Sequence, residues 1–163
     1  ALVLAAILVV SLVGLGNVWA KDEPINIEAD QMVSQETKNT VVFTGNVDAS
    51  QGKITIRTDK MTVHYAPKGE KAKGKAGKVK KLICVGSVEV SQEDWLGTGQ
   101  RMDYYADERK VVLSGDAKAW QGQNMVSGKS ITYYLDEKRS VVERAAATEG
   151  KKKSGRVKAV IRQ

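Results

Sequence analysis

The sequence predicts an all-β protein, a long antiparallel sheet folded over one internal face, and three observations predict it. Apolar residues recur at every second position through most of the chain, one strand-pair pattern returns three times, and the alternation slips by one residue at the same place in each copy. Period two marks a strand with one buried face. A one-residue slip turns all later side chains to the other face, so the chain must bulge or turn a corner there. No segment after Ala20 sustains a period of 3.6 residues.

Taken in order, Ala1 to Ala20 carries no charge and is succeeded at once by Lys21, Asp22 and Glu23. Leu2 to Val13 has the length of a signal h-region, Gly14 and Gly16 loosen the helix, and Val18-Trp19-Ala20 offers small residues to a signal peptidase. Residues 1–20 are therefore expected to be a signal peptide cleaved after Ala20. The chain opens without Met, so the basic start of that signal is read as missing. An uncleaved anchor of about 20 residues is the alternative. Either way, the rest of the chain is expected to act outside the cytoplasm.

The stretch Ile25, Ile27, then Asp30 and Met32, reads as half a copy of the repeat. The full copies align on Gly45, Gly86 and Gly115, in VVFTGNVDA, LICVGSVEV and VVLSGDAKA. Sixteen residues after each glycine come Met61, Met102 and Ile131, opening MTVHY, MDYYA and ITYYL. Gly86 and Gly115 are 29 residues apart and Gly45 and Gly86 are 41, so 12 extra residues fall in PKGEKAKGKAGKVKK, an inserted loop. In the first strand of each copy the inward set is Val41, Phe43, Gly45, Val47 and Ala49, then Leu82, Cys84, Val88 and Val90, then Val111, Leu113, Ala117 and Ala119. In the second strand Ile54 and Ile56 point inward on even numbers, whereas Met61, Val63 and Tyr65 do so on odd ones. The corner is expected at Asp59 and Lys60. Trp95 and Gly97 before Met102 and Tyr104, and Val126 and Gly128 before Ile131 and Tyr133, repeat the slip. Turns such as SQG, ADER and LDEK join the strands. Such an array ends in open strands, and the N-terminal edge PINIEAD has no Lys to blunt it, so a partner covers it or the protein polymerises.

Several chemistries are disfavoured. One Cys excludes an internal disulfide and a multi-thiolate zinc site, and one His leaves almost nothing for a histidine metal centre. No cofactor is expected. Cys84 shares the phase of Phe43 and Leu113, so a small buried hydrophobe outweighs a catalytic thiol. His64, between inward Val63 and Tyr65, should face solvent, and Asp48, Glu89 and Asp116 alternate outward without converging as an acid and base pair. Ser127-Gly128-Lys129-Ser130 fails as a phosphate loop, because the first glycine of that motif falls on Gln123.

Pro67 to Lys81 and Gly150 to Gln163 each carry +6 of a total of +7, leaving −5 for the β body. Solvated, solubilising segments compete with attraction to lipid phosphates, an anionic membrane or nucleic acid. Export and the lack of interleaved aromatics count against nucleic acid.

The residues PINIEADQ, VVFTGNVDASQGKITIRTDKMTV, VVLSGDAKAW and GKSITYYLDEK resemble the OstA-type repeat of the LptA family, periplasmic proteins of lipopolysaccharide transport. The similarity runs from Pro24 to about Val142, and GRVKAV resembles the family's last strand. The resemblance implies a twisted β-jellyroll, open along one side, over residues 21–145, with residues 146–163 a basic segment that includes that strand. It implies a periplasmic, non-enzymatic protein that holds lipopolysaccharide by its lipid A region in a bridge between inner and outer membranes. Its expected partners are an LptC-like inner-membrane protein, an LptD-like outer-membrane protein and further copies joined head to tail. The family's lipid contacts fall here on Ile25, Ile27 and Tyr104, and its partner-docking edge on Ile25 and Ile27. The inward phase adds Phe43, Cys84 and Leu113. Where the family can place an Arg before the Pro after the second strand, this chain has Tyr65-Ala66-Pro67, so that role lacks its residue. The competing reading is an LptC-like membrane-anchored adaptor that docks transport partners. A third, an enzyme acting on envelope glycans, requires clustered acids in a pocket.

Overall fold

A computed structural model describes residues 24–67, 78–144 and 156–162. The all-β expectation holds. Five long strands succeed one another as an antiparallel meander after β3 (Thr40–Gln51): β4 (Ile54–Tyr65), β5 (Val79–Gln92), β6 (Trp95–Tyr105), β7 (Lys110–Gln121) and β8 (Asn124–Tyr134). At one end β1 (Asn26–Glu28) and β2 (Gln31–Gln35) pair with the two halves of β3, and are thus one strand bent at Ala29-Asp30. At the other end β9 (Arg139–Glu143) and β10 (Lys158–Val160) divide β8 in the same way. Residues 1–20 and most of the lysine-rich loop lie outside the described residues.

Each long strand crosses a common corner, so one continuous ladder makes two facing halves. The tip half ends in two-residue hairpins at Gly52-Lys53, Glu93-Asp94 and Gly122-Gln123, each with positive φ at its first residue alone, as in a type II′ turn. The loop half ends in the four-residue turns Glu36–Asn39, Ala106–Arg109 and Leu135–Lys138, each closing on a left-handed residue, and in the insertion between Tyr65 and Val79.

The corner differs from the expectation in one respect. Asp59 does mark the slip in β4, but the extra residue belongs to β3, whose pairing jumps from Thr44 to Val47 while β4 passes only from Thr58 to Lys60. Gly45 and Asn46 absorb it with φ of 82° and 44°, and Gly86-Ser87 and Gly115-Asp116 do the same. Gly45 therefore leaves the inward alternation instead of continuing it. A Cβ on it would strike the Asp30 carboxylate, so the corner needs glycine both for its torsion and for its space. Asn46 Nδ2 donates to Asp30 Oδ2 at 2.9 Å, and the Asp30 N–H donates to the Gly45 carbonyl at 2.9 Å.

Burial falls with distance from the corner. Met61 and Cys84 are 0% exposed, Val63, two residues further out, is 3%, and Leu82 and Tyr65 are only half-buried. In the tip half Val88 is 2%, Val90 8% and Gln92 exposed. The halves touch across this face, since a Cβ on Gly97 would lie 2.7 Å from Leu113 Cδ1. The interior is thus a wedge, closed along the corner and open between two lips.

Candidate functional site

The wedge is built in rows, because antiparallel register sets one residue from each strand side by side. In the loop half the floor row is Phe43, Met61, Cys84, Met102, Leu113 and Ile131. Above it runs a wall row of Val41, Val63, Leu82, Tyr104, Val111 and Tyr133. In the tip half the wall is Ala49, Ile56, Val90, Gly97, Ala119 and Val126. Its lip holds Gln51, Ile54, Gln92, Trp95, Gln121 and Asn124. The Trp95 ring folds inward over Gly97, whose missing side chain makes room for it.

The six residues singled out from the sequence lie at different depths. Cys84 and Leu113 belong to the sealed floor at 0% and 1% exposure and pack protein on protein. Phe43 shares that row but is half-buried near the N-terminal end, between Met32 and Met61. Tyr104 stands on the wall between Leu82 and Val111. Ile27 lies half-buried opposite Ala49, and Ile25, just before β1, is 54% exposed at the lip. Tyr133, Leu82, Val111 and Trp95 were not singled out, although the inward phase of ITYYL and its sister strands points to them.

The ion-paired side chains of the long strands lie on the outer face. Asp48, Arg57 and Glu89 form a cross-strand series, with Arg57 3.1 Å from Asp48 and 3.8 Å from Glu89. Asp103, 7% exposed, is gripped by Arg101 through Nε at 2.6 Å and Nη2 at 2.9 Å and by Lys81 at 3.3 Å. Burial pushes its carboxyl up, but those two cations outweigh burial and hold it below the usual range. Around Tyr105 and Tyr134, Lys81, Lys110 and Arg139 stack on ring faces at 4.6, 4.7 and 4.2 Å. His64 occupies this outer side, half-buried between Thr40 and Lys81 in the register.

Chemically, the wedge can shield hydrocarbon. Burial, with a smaller push from the nearby Asp103 charge, raises the Cys84 thiol to about 12, which keeps it a protonated apolar filler. Among the described residues no three His, Cys, Asp or Glu side chains are grouped to hold a metal, and no helix is long and apolar enough to cross a membrane. Each 100 Å² or so of apolar surface shielded on the walls stabilises a guest by about 2.5 kcal/mol before ordering costs.

The family model described as "LptA/(LptD N-terminal domain) LPS transport protein" matches residues 26–139. The lipopolysaccharide export system protein LptA of Escherichia coli (strain K12) is 35% identical over 96 residues, 59% of this chain and 51% of that protein. A protein of Rhizobium meliloti (strain 1021) is 27% identical over 96 residues, 59% of this chain and 52% of its own. The chain thus spans about half the length of the curated relatives it matches. Among solved structures, LptH, the LptA-homologous periplasmic component of the lipopolysaccharide transport device of Pseudomonas aeruginosa, aligns with a TM-score of 0.69. That alignment covers 86% of this chain and 96% of LptH at 21% identity, a likeness of fold.

Proposed function

Because the chain belongs to the LptA/(LptD N-terminal domain) family of lipopolysaccharide transport proteins, we propose that it is a non-enzymatic periplasmic conduit for lipopolysaccharide. The acyl chains of the lipid A region lie in the wedge, and its phosphorylated sugar stays at the open lips. The observation that carries this reading is the graded burial of an apolar interior, sealed at the corner and only half-buried at the wall residues Leu82, Tyr104 and Tyr133. The conduit forms part of a bridge between inner and outer membranes, with an LptC-like protein at one end, an LptD-like protein at the other, and copies of the chain joined end to end. Ile25 and Ile27 contact both lipid and the inner-membrane partner.

Adjacent tyrosines give an internal control. Tyr104 is on the inner wall, whereas Tyr105 is on the outer face beneath Lys81 and Lys110. A photoreactive side chain at Tyr104 should crosslink to lipopolysaccharide and one at Tyr105 should not. Equal crosslinking at both positions would sink the reading. Ile27→Asp should lower the Tyr104 yield while leaving the circular dichroism spectrum unchanged.

A further inference from the structure

On the outer face of the tip half the third copy departs from the other two. Five residues after the corner glycine the first two copies have Ser50 and Ser91, and the third has Trp120. Trp120 points away from the wedge, because its neighbour Ala119 belongs to the inner wall and side chains alternate along a strand. The register seats Leu96 on one side of it and Met125 on the other, and places Val160 of β10 beyond Met125. Trp120 and Met125 are half-buried, and Val160 is 44% exposed. Earlier in the same row Ser50, Thr55 and Ser91 are polar, so the apolar surface is confined to the C-terminal end of the sheet.

This surface surrounds an open pocket of about 380 Å³, lined by Trp120, Gly122, Gln123, Met125, Val160 and Arg162. Its rim is tied down on two sides. The Gly122 N–H donates to the Asp94 carbonyl at 3.1 Å, which fixes the β7–β8 hairpin to the turn beside it. The Arg162 N–H donates to Asn124 Oδ1 at 2.9 Å, which fixes the segment after β10 to the same hairpin. A Cβ on Gly122 would meet nothing within 4 Å, so the turn leaves the pocket clear. The Arg162 guanidinium makes no ion pair with another described residue. An aromatic ring, a thioether and a valine are thus combined with one available cation and one amide, in a volume at the small end of the range of about 300–1,000 Å³ usual for ligand sites. We infer that this pocket binds a small anionic amphiphile, a single acyl chain bearing a carboxylate or a phosphate ester, with the chain against Trp120, Met125 and Val160 and the anion on Arg162. Ring and thioether offer hydrocarbon a polarisable surface, and a guanidinium matches the paired oxygens of either anion. The pocket lies on the opposite face of the sheet from the wedge, so it stands or falls independently of the conduit proposed above.

The two described tryptophans report on opposite faces, Trp95 over the wedge and Trp120 in the pocket. The test uses the whole chain with Trp19→Phe and either Trp95→Phe or Trp120→Phe, which leaves a single fluorophore. A brominated decanoate should quench Trp120 saturably, and quenching that never saturates overturns the site. Arg162→Gln should weaken that binding about tenfold, and a brominated decanol, which carries no charge, should bind the unaltered pocket about tenfold more weakly than the acid. Unchanged affinity in Arg162→Gln, or equal binding of acid and alcohol, overturns the role of the anion. Excess lipopolysaccharide should leave the quenching of Trp120 intact, and its loss would assign the acyl chain to the wedge and overturn a second site. Unlabelled decanoate and decyl phosphate should both displace the probe. The tighter of the two distinguishes a fatty-acid source from a phospholipid one, whereas displacement by inorganic phosphate alone would deny the apolar residues their part and overturn the amphiphile.

Discussion

The two halves of the sheet share every long strand, yet they are furnished differently. The loop half carries bulk, with Phe43, Met61, Met102, Leu113, Tyr104 and Tyr133 on its inner face. The tip half is slighter, lined by Val47, Ala49, Ile56, Val88, Val90, Gly97, Ala117, Ala119 and Val126, with Trp95 the one large inward ring among its described residues and amides along its lip. The larger side chains thus lie on one wall and the smaller on the other. In the conduit proposed above, apolar guests lie against the loop half and the amides of the tip half face them across the mouth.

This asymmetry can be broken at graded cost. Met61→Ala, at the floor of the loop half, should destabilise the domain by about 3 kcal/mol, against about 1.5 kcal/mol for Val88→Ala in the tip half. Urea melts of the two variants check the ratio, and equal losses would mean that both walls bear the core alike. Gly97→Val should cost about 2 kcal/mol by overpacking, because a Cβ there already falls 2.6 Å from the Trp95 ring. A partner change of Trp95→Ala should relieve part of that loss. Asp103→Asn, on the outer face of the loop half, should cost about 1 kcal/mol at neutral pH, a modest figure because Arg101 and Lys81 are partly solvated. Asp103 is held below its ordinary range, so its contribution is present above the unfolded carboxylate value and is lost as pH falls through the folded one. The gap between wild type and variant should therefore close below about pH 4 in thermal melts. Smallest in energy, and sharpest as a probe, is Cys84: a thiol reagent should find no reactive group in the folded chain and one after denaturation.

Inner and outer faces were legible in the sequence because alternation survives in every strand, from Val41 and Phe43 to Ile131 and Tyr133. Depth was not. Cys84 and Tyr104 have the same inward phase, but closure of one half on the other seals the first and leaves the second half-buried, a relation between residues far apart in the chain. The corner was legible at Asp59 in β4, but its extra residue in β3 was not, for a local reason: a glycine has no side chain to reveal that it has left the alternation. The signal lay one position further on, in Asn46, Ser87 and Asp116, all of which adopt a left-handed backbone here. Asn and Asp tolerate that conformation better than most residue types.

Because each long strand passes unbroken through the bend, the two leaves are bound like a book along its spine. Neither can slide past the other without tearing the ladder. In the proposed conduit a broader guest would press on the torsions at Gly45-Asn46, Gly86-Ser87 and Gly115-Asp116, which the ladder links from strand to strand. Any change in the opening angle would then be shared by the whole row of corners rather than confined to one strand.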